Sequence, residues 1–146
     1  MKPLIFALLA LVVAASAMAA GKKIQRKDLP AAVLKTVQQE EAKGATVKNI
    51  IAEKEGGKTV YEVETTVSGH TRDLIVDATG KVVESEEEVA LNAIPAPARA
   101  AFEASGKVVK VETLTKGATV AYEAQIEKNG KKSEVAVDAT GKRVKP

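Results

Sequence analysis

The sequence predicts an α+β protein of two tandem α-β-β-β-β repeats, each a helix packed on one face of an antiparallel sheet. Three observations carry this expectation. Two amphipathic stretches open on an apolar residue followed by proline, Leu29-Pro30 and Ile94-Pro95. Each is followed by segments in which apolar and polar residues alternate. The second half of the chain also repeats the first at a fixed offset.

The N-terminus comes first. Met1-Lys2 precedes an apolar run, Leu4 to Ala15, and Ala17-Met18-Ala19 places small residues where a signal peptidase reads them. This is the form of an export signal over residues 1–19. The run falls short of the roughly 20 apolar residues that a membrane-spanning helix needs. The organisation expected is a signal peptide at 1–19, a first repeat at 20–88 and a second at 89–146. Export and cleavage near Ala19 predict a periplasmic or secreted protein with no membrane span in its mature part.

Composition then narrows the chemistry. The chain has 146 residues, 22 Lys+Arg, 19 Asp+Glu, one His, no Cys and no Trp. Without cysteine there is no thiol catalysis, no disulfide and no Cys-ligated metal. With one histidine, no mechanism can use a histidine pair. Lys2 is the only charge in the signal, so the remainder carries 21 − 19 = +2. That balance, with almost no aromatic residues for base stacking, does not describe a nucleic-acid binder. Tyr61, Phe102 and Tyr122 are the only aromatic rings after residue 19, so the core must be built from Val, Ile, Leu and Ala.

Shifting the chain by 61 residues aligns Gly56–Val83 with Gly117–Val144 without a gap, with 11 identities in 28 positions. These include Tyr61-Glu62 with Tyr122-Glu123, and Asp77-Ala78-Thr79-Gly80-Lys81 with Asp138-Ala139-Thr140-Gly141-Lys142. Each half has about 60 residues, a length at which burial is marginal for independent folding. The halves should therefore lean on one another.

Within the first half, Asp28-Leu29-Pro30 reads as a helix start, with proline in the first turn where its missing N–H costs nothing. Leu29, Val33 and Val37 share one helical face, and Gly44 should end the helix. Ile94, Ala98 and Phe102 take that face in the second half, ending at Gly106. Val47 to Glu53 is a first strand, and Gly56-Gly57 a turn. Tyr61 to Val67 alternates apolar with polar and reads as a strand with one wet face. Ser68-Gly69 and Asn129-Gly130 are hairpin signals. Leu74 to Asp77 is a third strand, and Lys81 to about Glu87 a fourth.

Each chemically suggestive string has a plain structural reading beside it. Val-Asp-Ala-Thr-Gly-Lys reads as a hairpin turn, in which Asp bonds the backbone two residues on and Gly supplies a positive φ. It lacks the glycine spacing of a phosphate loop and the ligands of an EF-hand. Glu84-Ser85-Glu86-Glu87-Glu88 could hold a divalent cation or a basic partner, but reads best as a solvated edge strand or linker. His70, replaced by Lys131 at the offset of 61, reads as an exposed hairpin residue. Lys22, Lys23, Arg26 and Lys27 form a basic arm. No nucleophile, base and orienting group occur together, so no enzyme, no catalytic residue, no cofactor and no metal site is expected.

The residues Leu29-Pro30-Ala31-Ala32-Val33, Tyr61-Glu62-Val63 and Val76-Asp77-Ala78-Thr79-Gly80-Lys81 give the chain a resemblance to a known family. Their counterparts are Ile94-Pro95, Tyr122-Glu123-Ala124 and Val137 to Lys142. Doubled behind an export signal, this order resembles the PepSY-like family, and more narrowly the β-lactamase-inhibitor-like, PepSY-like envelope proteins. The resemblance implies a non-catalytic module. PepSY domains occur in propeptides of secreted peptidases and restrain them. The inhibitor comparison implies a sheet surface presented to a protein.

The expected function is therefore an exported PepSY-like module that binds, and inhibits, an envelope protein such as a peptidase. The alternative is a periplasmic small-ligand or divalent-cation binding protein. The candidate partner-binding residues lie on the helix-free side of the sheet: Glu62, Glu64, Thr66, Glu123, Gln125 and Glu127. Such a face suits a basic or polar partner and, without aromatic or arginine anchors, a transient contact.

Overall fold

The computed structural model describes residues 21–144. The expected signal peptide lies outside the described residues. Twelve residues form α1 (Ala31–Ala42) and ten form α2 (Ala96–Ser105). The strands are β1 (Lys22–Lys23), β2 (Thr46–Glu55), β3 (Lys58–Val67), β4 (His70–Asp77), β5 (Val82–Glu88), β6 (Lys107–Lys116), β7 (Thr119–Lys128) and β8 (Lys131–Val137). They form one antiparallel sheet in sequential order, β1 through β8.

This corrects the expectation of two tandem α-β-β-β-β repeats, each with its own helix-covered sheet. Glu84 to Glu88 pair with Lys116 to Glu112, so β5 hydrogen-bonds to β6 as well as to β4 and the sheet runs through the midpoint of the chain. The halves are also unequal. After the second Asp-Ala-Thr-Gly-Lys turn, the described chain contributes only an isolated bridge between Val137 and Arg143 instead of a further strand. The acidic run is thus neither an edge strand nor a linker. It occupies the centre of the sheet.

Both helices lie on one side. Pro30 and Pro95 take the N-cap positions, and no side chain caps either helix; Asp28 sits in a separate single turn, Arg26–Asp28. Val33 and Val37 pack with Leu29, Ile50, Tyr61, Val63, Leu74 and Val76. Ala98 and Phe102 pack with Ile94, Val111, Ala124, Ile126, Val135 and Val137. These two clusters of alternate strand residues against a helical stripe supply most of the hydrophobic stabilisation. Phe102 is the largest fully buried side chain.

The repeated turns tie the sheet to the helices. Asp77 Oδ1 accepts from the N–H and hydroxyl of Thr79 and the N–H of Lys81, at 2.8, 2.6 and 3.1 Å. Asp138 does the same with Thr140 and Lys142, at 2.9, 2.6 and 3.1 Å. Gly80 has φ +84° and lies so near the first turn of α1 that a Cβ would stand 2.5 Å from the Ala32 oxygen. Gly141 meets the Pro97 oxygen at the same separation. Thr36 Oγ1 donates to the Gly80 oxygen at 2.6 Å. The motif is a turn that also seats a helix.

Candidate partner-binding face

The side of the sheet away from the helices carries the unusual chemistry. Strand alternation places Glu64 opposite Asp73 and Asp73 opposite Glu86, across β3, β4 and β5. Two residues along β5, Glu88 stands opposite Glu112, and Glu112 opposite Glu123, across β5, β6 and β7. Six carboxylates thus form a stepped ladder over five strands, about 19 Å at the usual strand spacing. Antiparallel sheets ordinarily avoid like charges in direct opposition. One lysine relieves the ladder directly, Lys110 Nζ lying 2.5 Å from Glu112, and Lys116 Nζ pairs at 2.8 Å with the neighbouring Glu84. Val60, Leu114, Ala121 and Ala136 are buried on this face among the longer polar side chains.

The crowding raises the proton affinity of the face. Burial, then the charges of Glu53, Glu64, Asp73 and Glu86, push the Glu62 carboxyl up to about 7. Burial, then Glu134, Glu86 and Glu112, push Glu123 up to about 7 against the opposing pull of Lys110. Glu86 is raised by burial and then by Glu112, Glu84 and Asp73; Asp73 is raised by burial, with Glu64 and Glu112 adding to it against a hydrogen bond from the Thr65 backbone.

All six residues expected from the sequence share this face by register, but the structure does not gather them. Glu62, Glu64 and Thr66 stand on β3, and Glu123, Gln125 and Glu127 on β7, with three strands between. The space between is filled by Asp73 on β4 and Glu112 on β6, which sequence reasoning missed, and by Glu84, Glu86 and Glu88 on β5, which it weighed for a basic partner and set aside as an edge strand or linker. The alternation of Glu84, Glu86 and Glu88 was a usable signal for one face of a strand. That this strand is central was not visible.

The remaining candidates fall elsewhere. His70 begins β4, exposed beside Ser68 and Gly69, both at positive φ. In the basic arm, Lys22 and Lys23 form β1 and Arg26 pairs with Glu41. A shallow groove of about 320 Å³ opens between that arm, Glu41 and the start of β2, crossed by this ion pair. Among the described residues, no group of three or more His, Asp or Glu could hold a metal ion, so the ladder does not converge into a cation cage. No helix among them is long and apolar enough to cross a membrane.

On the helix side, Glu40 was not anticipated. It is buried at the end of α1, accepting from Lys43 Nζ at 2.8 Å and from Arg72 Nη1 at 2.6 Å. Burial alone would raise its carboxyl, but these two cations outweigh it and hold it below the usual range.

A two-helix layer on a single antiparallel sheet, with a polar face that none of the described helices covers, defines a class of scaffold rather than an activity. Residues 29–86 match the PepSY family, described as the peptidase propeptide and YPEB domain. That segment is PepSY-like, as Leu29-Pro30 and Val76 to Lys81 indicated. Solved structures share its fold. A Bacteroides eggerthii protein described as a candidate periplasmic protein superposes with a TM-score of 0.62 at 16% identity, covering 79% of this chain and 85% of its own. A DUF2874 family protein of Bacteroides ovatus gives 0.60 at 16%, over 80% and 85%. A BLIP-like protein of Bacteroides fragilis gives 0.55 at 18%, over 77% and 81%. The comparison with curated proteins finds no match.

Proposed function

We propose that this chain is an exported, non-catalytic module, periplasmic or secreted, that binds a basic segment of an envelope protein on the open face of its sheet. The carboxylate ladder from Glu64 to Glu123 is the observation that carries the reading. Packing like charges on a folded surface costs stability, and a cationic partner recovers that cost on binding. Lys or Arg side chains laid across the ladder would pair with Glu64, Asp73, Glu86, Glu112 and Glu123. Glu62, Glu64, Thr66, Glu123, Gln125 and Glu127 then form the two ends of one binding surface. Restraint of a secreted peptidase is the role favoured by the PepSY match, whose description names a peptidase propeptide.

A photo-crosslinking residue at Gln125 tests this in cells, with Gln38 on the outer side of α1 as control. A discrete adduct at Gln125, absent at Gln38 and lost when Glu86→Lys and Glu112→Lys are introduced, is the expected result. Equal adducts at both positions, or an adduct insensitive to the charge reversals, would overturn the reading. Proteolysis assays on the identified partner then measure inhibition directly.

A further inference from the structure

The edge of the sheet at β8 borders the open face but differs from it in what its backbone offers. The two outer strands are not treated alike. On one side β1 pairs with Ile51 and Ala52 of β2, and Ile24 extends the cover by donating to the Ile50 oxygen at 3.0 Å. On the other side β8 pairs with β7 along its whole length, while its outer side meets only the first residues after the Asp138 turn.

The register identifies what is open. Val137 bridges Arg143, the counterpart at 61 residues of the pair Val76 and Val82. Val144 N–H donates to the Ala136 oxygen at 3.0 Å, so the backbone of Ala136 faces outward. Backbone groups of alternate residues in a strand point the same way. Glu134 and Lys132 therefore also present N–H and C=O outward, and among the described residues no strand pairs with them. Their counterparts on β4, Asp73 and Thr71, face β5: Asp73 pairs with Glu86, and the Thr71 hydroxyl donates to Glu88 at 3.2 Å.

The geometry points to strand addition at β8 by an acidic, extended segment of a partner protein, running antiparallel to β8 as β5 runs to β4. Charge selects this occupant. Lys131 and Lys132 begin the edge and Arg143 flanks its end, all exposed, with Glu134 the acidic side chain between them. Lysines on an open edge discourage copies of the chain from pairing with one another. Carboxylates on an incoming strand convert the same lysines to attraction, as Glu87 of β5 meets Arg72 of β4 at 3.7 Å. Main-chain hydrogen bonds supply affinity and side-chain charge supplies selection, the usual division in strand addition. This edge adjoins the open face, since Glu134 stands opposite Gln125 and Lys132 opposite Glu127, but strand addition is read at the outward backbone amides and the open-face proposal at its carboxylates, so either can fail alone.

The probe is a peptide of the chain's own β5 sequence, Lys81 to Val89, against a version with its glutamates changed to lysine. Isotope-labelled protein is titrated with each, and amide shifts and hydrogen exchange are followed. Slowed exchange at the Lys132 and Glu134 amides with the acidic peptide is expected, with at least tenfold weaker binding for the lysine version. The Lys131→Glu/Lys132→Glu variant should lose the acidic peptide by a similar factor while melting within a few degrees of the parent. Three outcomes overturn the proposal: amides already protected without peptide, perturbations confined to other strands, or equal binding of both peptides. Concentration-dependent dimerisation that protects the same amides would assign the edge to a second copy and overturn it as well.

Discussion

Asp73 and Glu86 stand directly opposite one another on β4 and β5, two half-buried carboxylates in the middle of the sheet. Both carboxyls are raised, first by burial; the charge of Asp73 adds to the shift of Glu86, and Glu64 and Glu112 add to that of Asp73. A sheet selected for stability alone would not place them so, because opposed like charges destabilise a strand pair. The pair suits a surface meant to be neutralised by something else.

Asp73→Asn and Glu86→Gln should each stabilise the fold by about 0.5–1 kcal/mol at neutral pH and low salt. The double variant should gain less than the sum, since either change already removes the repulsion. Thermal melting measures both effects. The gain should shrink in 1 M salt, where screening acts over about 3 Å. Under the proposed function, the same variants should bind basic partners more weakly.

Glu62 and Glu123 set a second expectation. Their folded values, about 7, lie above the unfolded value of 4.5. A raised carboxyl stabilises the fold fully below its unfolded value and loses that contribution as pH rises through its folded value. Stability should therefore fall between about pH 4.5 and 7. Glu62→Gln/Glu123→Gln should melt higher than the parent at pH 8, by about 1 kcal/mol per site after solvent screening. The difference should vanish near pH 4. A parent whose stability is flat across this window would contradict it.

Glu40 acts in the opposite sense. Its carboxyl is lowered, so its contribution is present above about pH 4.5 and is lost as pH falls through its folded value. Glu40→Ala leaves the guanidinium of Arg72, partly covered, with only the 3.7 Å contact to Glu87. A cost of about 2–3 kcal/mol is expected from the unpaired charge and lost hydrogen bonds. Arg72→Ala should cost less, because Lys43 still pairs with Glu40. Denaturant titration of the single and double variants gives the coupling.

Gly80→Ala should destabilise far more than Gly69→Ala, although both glycines have φ +84°. A Cβ at Gly69 meets nothing within 4 Å, so that change costs about 1 kcal/mol of backbone strain. At Gly80 the new methyl also runs into the Ala32 carbonyl and must push the turn off α1, adding about 1–3 kcal/mol. Equal melting temperatures for the two variants would remove the seating role assigned to the turn.

Local chemistry was written in the sequence. The helix faces of Val33 with Val37 and of Ala98 with Phe102 followed from spacing, because a packed stripe must recur with the helical period. The Asp77 and Asp138 turns followed from side chains that bond their own backbone. The wet face of β3 and β7 followed from alternation, so part of the candidate surface was readable residue by residue. Strand partnership was not, because alternation states which side of a strand is wet and says nothing about its neighbours. Pairing with β6 moved Glu84, Glu86 and Glu88 from an expected edge or linker to the centre of the face, and fused two expected sheets into one. The registers of β3 with β4 and of β4 with β5 set Asp73 between Glu64 and Glu86. Glu40 could be seen on a buried stripe, seven residues after Val33, but its partner Arg72 lies 32 residues away in the chain. Local sequence determined the elements and their polarity; long-range backbone pairing, which depends on the register of the whole sheet, decided which charges meet.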